Sequence, residues 1–264
     1  MTSDARQPGH PHRAHDVDVF GKPPKGRSDW SHRRGEPRVF AFCWTLYLLA
    51  ATVIAFSSAG AAGAGNADAF RPAARGLLAA CLAGISLLWP MTRLSQMRPG
   101  PRRWSAVRCV LEDIAVLVVP AQAVIWPQVL MASWPVSVVG ALACSTLAWA
   151  LALGALLYAA FTSRRRAGVW WMAIFVAIAG AGPLLALVPG VLERGAEARC
   201  AWWWMTSPVT SGFELTRDRP WSGASAWVSL GHWVSIGVVG AISLVGWALV
   251  LGHALTGETR PDPA

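Results

Sequence analysis

Two adjacent carboxylates lie inside a long apolar run of this sequence and are its clearest candidates for chemistry. Glu112 and Asp113 are the only acidic residues within any of the apolar runs. A carboxylate in such a segment is costly unless it faces a cationic partner or a wet cavity. Arg108 stands four residues before Glu112, within reach on the same helix face. The group could form a proton or substrate relay. Alternatively, Arg108 and Glu112 form an interfacial ion pair and Asp113 caps against a cytoplasmic loop.

Histidine offers no pair that could hold a haem. His232 and His253 both lie on the last apolar run, and their separation corresponds to about 31 Å along a helix axis. They would therefore occupy opposite faces of a membrane. His10, His12 and His15 could bind a metal, but we interpret their segment as a flexible basic arm. We expect no cofactor.

The other chemical motifs are incomplete. Around Ser225 the sequence partly resembles the serine motif of intramembrane proteases, but Ala226 replaces its final glycine and His232 lies on the same helix. The five cysteines contain no CxxC pair; four lie in apolar runs and Cys200 lies in a loop. No HExxH, Walker or GxGxxG motif occurs. We therefore expect no catalytic, cofactor-binding or metal-binding residues, and no enzyme.

The elements that must position these residues are long apolar helices. Of the 264 residues, 54% are hydrophobic and 14% are charged, whereas a soluble domain carries about 25% charged residues. The 16 tryptophans also suit membrane–water interfaces, because the indole ring is apolar but its N–H is not. The formal charge of +9 is spread between apolar runs, so nucleic acid is not an expected partner. We predict an all-α polytopic membrane protein in contact with the lipid bilayer.

Six apolar runs are long enough, or nearly so, to cross a hydrocarbon core of about 30 Å. They cover residues 39–60, 73–91, 107–130, 136–160, 168–192 and 226–255. The second is the weakest, because Arg75 lies near its start, although a long arginine side chain can reach the interface. With the N-terminus inside, 17 Lys and Arg fall on the inner side and 6 on the outer side. This asymmetry predicts that both chain ends are cytoplasmic.

The predicted topology divides the chain into two tails and a transmembrane domain that contains one long outer loop. Residues 1–38 form a disordered basic cytoplasmic tail, and residues 39–255 form a six-helix transmembrane domain. Within that domain, residues 193–225 form an extracytoplasmic interfacial loop, and residues 256–264 form a short cytoplasmic tail. The expected location is the cytoplasmic (inner) membrane, which the chain crosses several times.

The outer loop contains three consecutive tryptophans, at positions 202–204. They cannot all face one side of a helix, but they can anchor a short helix in the headgroup layer. Pro208 follows them and interrupts helical hydrogen bonding. The pattern predicts an interfacial or re-entrant helical hairpin between the last two spans, broken at Pro208.

The segment Trp204-Met205-Thr206-Ser207-Pro208-Val209-Thr210 resembles the short hydrophobic-Ser/Asn-Pro element of the type-2 ABC exporter permeases. Those permeases have six spans, cytoplasmic ends and a re-entrant element before the last span, so the likeness in topology covers about 220 residues. The resemblance implies a permease subunit that works with a separate ATP-binding subunit, as a homodimer or a heterodimer. Ser207 and Pro208 would belong to the re-entrant element, and the basic loop 92–106 would contact the ATPase.

Two other functions fit the sequence. The scarcity of polar residues within the spans favours a non-transporting membrane protein, such as a scaffold, an assembly factor or a sensor partner. A membrane-embedded enzyme acting on lipid would need convergent polar groups. Its candidate clusters are Arg108 with Glu112 and Asp113 on the inner side, and residues 214, 217 and 218 on the outer side.

Overall fold

The computed structural model describes residues 37–61, 67–96, 103–163, 168–188, 200–218 and 226–258. Within these ranges the chain is helical, with short connections and no strand. Residues 1–36 and 259–264 of the predicted tails, and residues 193–199 and 219–225 at the two ends of the predicted outer loop, lie outside the described residues.

The helices follow one another without long interruptions in the described ranges. They are α1 (Pro37–Ala61), α2 (Ala67–Ala83), a π-helical turn (Gly84–Leu88), α3 (Trp89–Ser95), α4 (Arg103–Ile125), α5 (Gln128–Met131), α6 (Val136–Thr162), α7 (Gly168–Ala186), a 3-10 helix (Trp202–Thr206), α8 (Pro208–Thr216) and α9 (Leu230–Glu258).

Six of these helical stretches are long and apolar enough to span a membrane. They are Val39–Ser57, Phe70–Ser95, Arg103–Met131, Val136–Thr162, Gly168–Leu185 and Leu230–Thr256. The prediction of a six-span helical membrane bundle is therefore confirmed. An even number of spans puts the start of α1 and the end of α9 on one side. We call that side inner and the opposite side outer.

The fourth span, α6, is a central helix of the bundle and packs against α4 and α9. Backbone carbonyls of α6 accept two hydrogen bonds from α9: Ser243 Oγ donates to Ala148 O at 2.9 Å, and Trp247 Nε1 donates to Leu151 O at 3.0 Å. Such bonds hold helices together where lipid removes the hydrophobic driving force between them. They set the register of the last span against the fourth.

The first span packs on the π-helical turn of the second. A Cβ added at Gly84 would lie 2.6 Å from Trp44 Cζ3 and 2.9 Å from Tyr47 Cε1, so only glycine leaves room for both rings. The Tyr47 hydroxyl donates to Ala80 O at 2.8 Å, and Trp44 Nε1 donates to Leu117 O at 3.1 Å. The close approach at Gly84 and these two hydrogen bonds thus join the first three spans.

Two apolar clusters fill the interior, one in each half of the bundle. The cluster toward the inner side is built around Trp44, Trp89, Leu117, Leu153 and Trp247. The cluster toward the outer side joins residues of α2, α6 and α9 to residues of the 3-10 helix and α8, including Leu78, Trp134, Leu142, Met205 and Leu215. The outer connection therefore contributes to the core of the protein.

The outward faces of the first, fifth and sixth spans are strongly apolar. Val53, Ile54, Trp170, Leu244 and Leu249 are among their exposed large side chains. An exposed apolar surface of this extent suits contact with lipid, and helices satisfy their backbone hydrogen bonds internally. The distribution identifies a multi-pass membrane protein.

The spans differ from the predicted runs at several ends. The second span extends over Phe70–Ser95 rather than 73–91, and it includes arginines that the sequence placed in or beside loops. These arginines find partners inside the bundle, as described below, so their charge does not end the helix. The helix of the last span begins at Leu230 rather than 226, and that of the fifth ends at Ala186 rather than 192.

Candidate functional site

The segment between the fifth and sixth spans folds back into the outer half of the bundle. Ser207 Oγ donates to Ala179 O at 2.6 Å, and Ser211 Oγ lies 3.4 Å from Ser145 Oγ. Ala179 lies about 10 Å before the end of α7, and Ser145 about 14 Å after the start of α6, at 1.5 Å per residue. The helical hairpin predicted for this loop is therefore re-entrant. We call residues 202–216 the re-entrant segment.

The local sequence explains the break in this segment. The 3-10 helix ends at Thr206, Ser207 is extended with φ −128° and ψ 140°, and Pro208 opens α8. Proline suits a helix start because its missing N–H would be unsatisfied there in any case. Ser207 is fully buried, and its hydroxyl bonds to α7 instead of capping α8.

The three tryptophans take up different environments. Trp202 is exposed and lies edge-on to Trp203, with 5.6 Å between their ring centroids. Trp203 and Trp204 are half-buried, and the following Met205 is buried in the outer core cluster. The beginning of the re-entrant segment thus passes from the surface into the bundle within four residues.

Two close approaches hold α8 against the spans. A Cβ added at Gly182 of α7 would lie 2.0 Å from Thr210 Oγ1, so the two helices touch at that glycine. A Cβ added at Gly212 of α8 would lie 2.6 Å from Leu82 Cδ1 of α2. The absence of side chains at these positions permits the insertion of α8.

A carboxylate lies at the centre of the buried polar groups on the outer side. Glu214 of α8 has no solvent-exposed area. Its Oε1 accepts a hydrogen bond from the Ala201 N–H at 2.9 Å and lies 3.3 Å from His232 Nε2. Its Oε2 lies 3.4 Å from Arg217 Nε. A buried charge requires partners. The partners of Glu214 lie at the start of the 3-10 helix, in the residues that end α8 and in the first turn of α9, so the carboxylate links these three elements.

A cysteine completes this group. Donor atoms of Cys200, Glu214 and His232 all lie within 4.8 Å of one another, with the histidine and the glutamate buried and the cysteine partly buried. We call these three side chains the outer triad. The sequence suggested no metal site from these three residues, since Cys200 has no nearby cysteine partner and His232 was considered only as a haem ligand and as the histidine near Ser225.

Ser229 orients the histidine of the outer triad. The backbone N–H of Ser229 donates to His232 Nδ1 at 2.9 Å, and Ser229 Oγ lies 2.8 Å from the same nitrogen. The histidine takes the place that Glu or Gln occupies in a capping box, three residues after a serine N-cap. The arrangement fixes the ring at the start of α9 with Nε2 toward Glu214.

Two arginines of the second span hold the far end of α8. Arg75 donates from Nη2 to Thr216 O and to Asp218 Oδ2, both at 2.6 Å. Arg71 lies 3.7 Å from the same aspartate and donates to Ala132 O at 3.2 Å. The outer cluster of residues 214, 217 and 218, noted from the sequence, is thus divided between Glu214, which faces α9, and Asp218, which faces α2.

On the inner side, the structure separates Glu112 from Asp113. Arg108 and Glu112 form the expected pair, 2.7 Å apart, at an exposed position. The expectation that Asp113 caps a cytoplasmic loop is wrong. Asp113 is fully buried and pairs with Arg93 of α3.

Sequence reasoning missed Arg93 because it was counted as a loop residue. Its Nε donates to Asp113 Oδ2 at 2.6 Å, its Nη2 donates to Oδ1, and Trp89 Nε1 donates to Oδ2 at 3.0 Å. An intramembrane acid without a partner on its own helix was the signal that a cation from another span must reach it.

The two polar groups differ in what they can do. The Arg93–Asp113 pair is closed by its own hydrogen bonds and joins two spans. The outer triad gathers thiol, carboxylate and imidazole donors beside the re-entrant segment, which contains the predicted Ser207 and Pro208. Comparison of the chain with protein-family models, with curated proteins and with solved structures finds no match.

Proposed function

We propose that this chain is the membrane-spanning permease subunit of an exporter in the cytoplasmic membrane, energised by a separate ATP-binding subunit. The observation that supports the proposal is the re-entrant segment, which is inserted between spans on the outer side. A connection between two adjacent helices needs only about 2–8 residues. A longer connection that is built into the core points to a functional role.

The contacts of the re-entrant segment suit a gate. It packs against α2, α6 and α7, and its Glu214 reaches α9. A relative movement of these spans would shift the segment and open or close the outer side. An exporter needs such an element, because solute must leave on the outer side without a permanent pore.

The inner side offers a surface for the ATP-binding subunit near the start of α4. Trp104 lies there, within the basic loop 92–106, and its side chain is 46% exposed. Trp126, at the outer end of the same span, is 47% exposed. The two tryptophans are therefore a matched pair for testing where the ATP-binding subunit docks, since they are equally exposed but lie at opposite ends of the same span.

The experiment is purification of the tagged full chain from its own cells in mild detergent, followed by reconstitution into lipid nanodiscs. We expect an ATP-hydrolysing subunit to co-purify, and its ATPase rate to change on reconstitution. Trp104→Ala should weaken this association several-fold, while Trp126→Ala should leave it intact. Complexes that form without any ATP-binding subunit would overturn the proposal.

A second candidate is a non-transporting scaffold, and the Arg93–Asp113 pair favours it. Both side chains are almost completely buried and bond to one another rather than to a wet cavity. A rigid scaffold would use such a pair to join spans. In the same purification, a scaffold would yield stable membrane partners that neither bind nor hydrolyse ATP.

A further inference from the structure

We propose that the outer triad, Cys200, Glu214 and His232, binds one divalent transition-metal ion, with Zn²⁺ as the best fit. The thiol, carboxylate and imidazole donor atoms already lie within 4.8 Å of one another. The inference stands apart from the transport function, because it depends only on the geometry of these three side chains.

The spacing of the donors is close to that of a metal site. Zinc binds sulfur at about 2.3 Å and nitrogen or oxygen at about 2.0–2.2 Å, so the donors of a tetrahedral site lie roughly 3.3–3.8 Å apart. His232 Nε2 and Glu214 Oε1 are 3.3 Å apart. A contraction of about 1 Å or less would bring the remaining pairs to the same range.

The donor types select the class of metal. Calcium and magnesium prefer all-oxygen sites, whereas thiolate and imidazole favour zinc and its neighbours among the transition metals. Three protein ligands leave one position of a tetrahedral ion for water or another ligand. The cysteine would bind as thiolate, so one proton leaves its sulfur when the metal enters.

The ligands come from three separate segments, and a glycine lets two of them meet. Cys200 precedes the 3-10 helix, Glu214 lies on α8, and His232 lies in the first turn of α9. A Cβ added at Gly231 would lie 3.1 Å from Cys200 Cβ and 3.4 Å from its Sγ. Glycine at 231 therefore permits the cysteine to lie against the beginning of α9.

The surroundings of the triad can orient its ligands. Glu214 Oε1 accepts the Ala201 N–H, an outer contact of the kind that orients metal-binding carboxylates. With Nδ1 accepting from the Ser229 N–H, the ring carries its proton on Nε2. Metal binding at Nε2 requires the ring proton to be on Nδ1, which can then donate a hydrogen bond to Ser229 Oγ at 2.8 Å. The Ser229 N–H, now 2.9 Å from Nδ1, must turn away from that nitrogen when the metal enters.

A bound ion would join the re-entrant segment to the last span. In the structure this join is made by the contact between Glu214 and His232. Coordination would add a bond to Cys200, at the point where the outer loop enters the bundle. The ion would hold both Cys200 and α8 against α9.

The test measures zinc bound to the purified full chain. His10, His12 and His15 are first replaced by Ala, because this tail could bind zinc independently. The protein is incubated with ZnCl₂, washed with a weak chelator, and its zinc is measured by mass spectrometry. We expect about one ion per chain, reduced more than roughly tenfold by Cys200→Ser or His232→Gln.

Two control variants match these substitutions. Cys144→Ser removes an exposed cysteine, and His253→Gln removes the other histidine of α9, about 31 Å away along the helix. Neither should change the zinc content. Equal zinc in Cys200→Ser and in the parent chain would overturn the proposal, as would an ion removed completely by the wash.

A second measurement needs no substitution in the outer triad. CoCl₂ added to the zinc-free chain in which His10, His12 and His15 are replaced should produce a thiolate-to-cobalt charge-transfer absorption, which ZnCl₂ should displace. Cobalt binding without that absorption would exclude Cys200 as a ligand and overturn the three-ligand site. Size-exclusion profiles of the variants show whether any loss of metal accompanies a loss of fold.

Discussion

Arg93 of α3 and Asp113 of α4 form a two-point ion pair in the interior of the bundle, between the second and third spans. Their side chains are 4% and 1% exposed. Trp89 donates a third hydrogen bond to the carboxylate, and the Arg93 guanidinium carbon lies 5.0 Å from the centroid of the Phe40 ring. The guanidinium fork suits a carboxylate held in one orientation. The pair therefore fixes the inner ends of two spans relative to one another.

Removal of one partner of this pair should destabilise the protein strongly. Asp113→Asn leaves the Arg93 charge buried without a counter-ion, and such losses cost about 3–5 kcal/mol. Thermal unfolding in detergent, followed by tryptophan fluorescence, measures the effect. Glu112→Gln is the matched control, because its partner Arg108 is exposed and little stability should depend on that pair. Equal shifts of Tm for the two variants would contradict the prediction.

The glycine contact between α7 and α8 gives a second test. Gly182→Ala places a methyl group 2.0 Å from Thr210 Oγ1, so α8 must move or the side chain must rotate. Overpacking of this kind costs about 1–3 kcal/mol. Gly180→Ala is the control, since its nearest neighbour would be Leu184 Cδ1 at 3.9 Å. A Gly182→Ala protein as stable as the Gly180→Ala protein would show that α8 does not pack here.

Arg75 should hold the far end of α8 through the shape of its side chain as well as its charge. Arg75→Lys keeps the charge, but a single ammonium nitrogen cannot reproduce the two guanidinium bonds to Thr216 O, from Nε and Nη2, together with the Nη2 bond to Asp218. A cysteine introduced at the buried Thr216 should then react several-fold faster with a hydrophilic maleimide. Arg71→Lys serves as the control, because its distance to Asp218 is 3.7 Å. Equal labelling rates in both backgrounds would refute the assignment.

Ser229 should affect the metal affinity of the outer triad without being a ligand. Ser229→Ala removes the hydroxyl that accepts from His232 Nδ1 in the metal-bound tautomer, and losses of this kind weaken binding about 10–100-fold. Competition between the protein and a chromophoric chelator for Zn²⁺ measures the change. Ser235→Ala, about 1.7 turns further along the chain than Ser229, removes a hydroxyl that bonds only to Gly231 O among the described contacts. Its zinc affinity should equal that of the parent chain.

The orientation in the membrane remains a prediction from the arginine distribution, and reporter fusions test it. A reporter that is active only in the cytoplasm should work when fused after Arg166, and one that is active only outside should work when fused after Arg217. Both fusions active on one side would contradict the six-span orientation, since these points flank the fifth span. A chain that stays in solution without lipid or detergent would contradict membrane insertion itself.

The sequence by itself determined that this protein is a bundle of membrane-spanning helices. Lipid offers no hydrogen bonds to the backbone, so about 20 consecutive apolar residues have one stable form, the helix. The same local reasoning predicted the Arg108–Glu112 pair, because residues four apart share a helix face. It also predicted the break at Pro208, since proline cannot continue a helix from the preceding turn.

Only the tertiary structure decided which groups meet between helices. The partner of Asp113 depends on the height and rotation of the second span, which no helical period specifies. Whether the Trp202–Thr216 segment lies on the membrane or enters it depends on two features of α7. Gly182 leaves space for α8, and a backbone carbonyl group accepts a hydrogen bond from a hydroxyl group of the segment. Cys200, Glu214 and His232 come from a loop and two helices. They converge because the re-entrant segment brings α8 back to the start of α9, a contact that depends on three-dimensional packing.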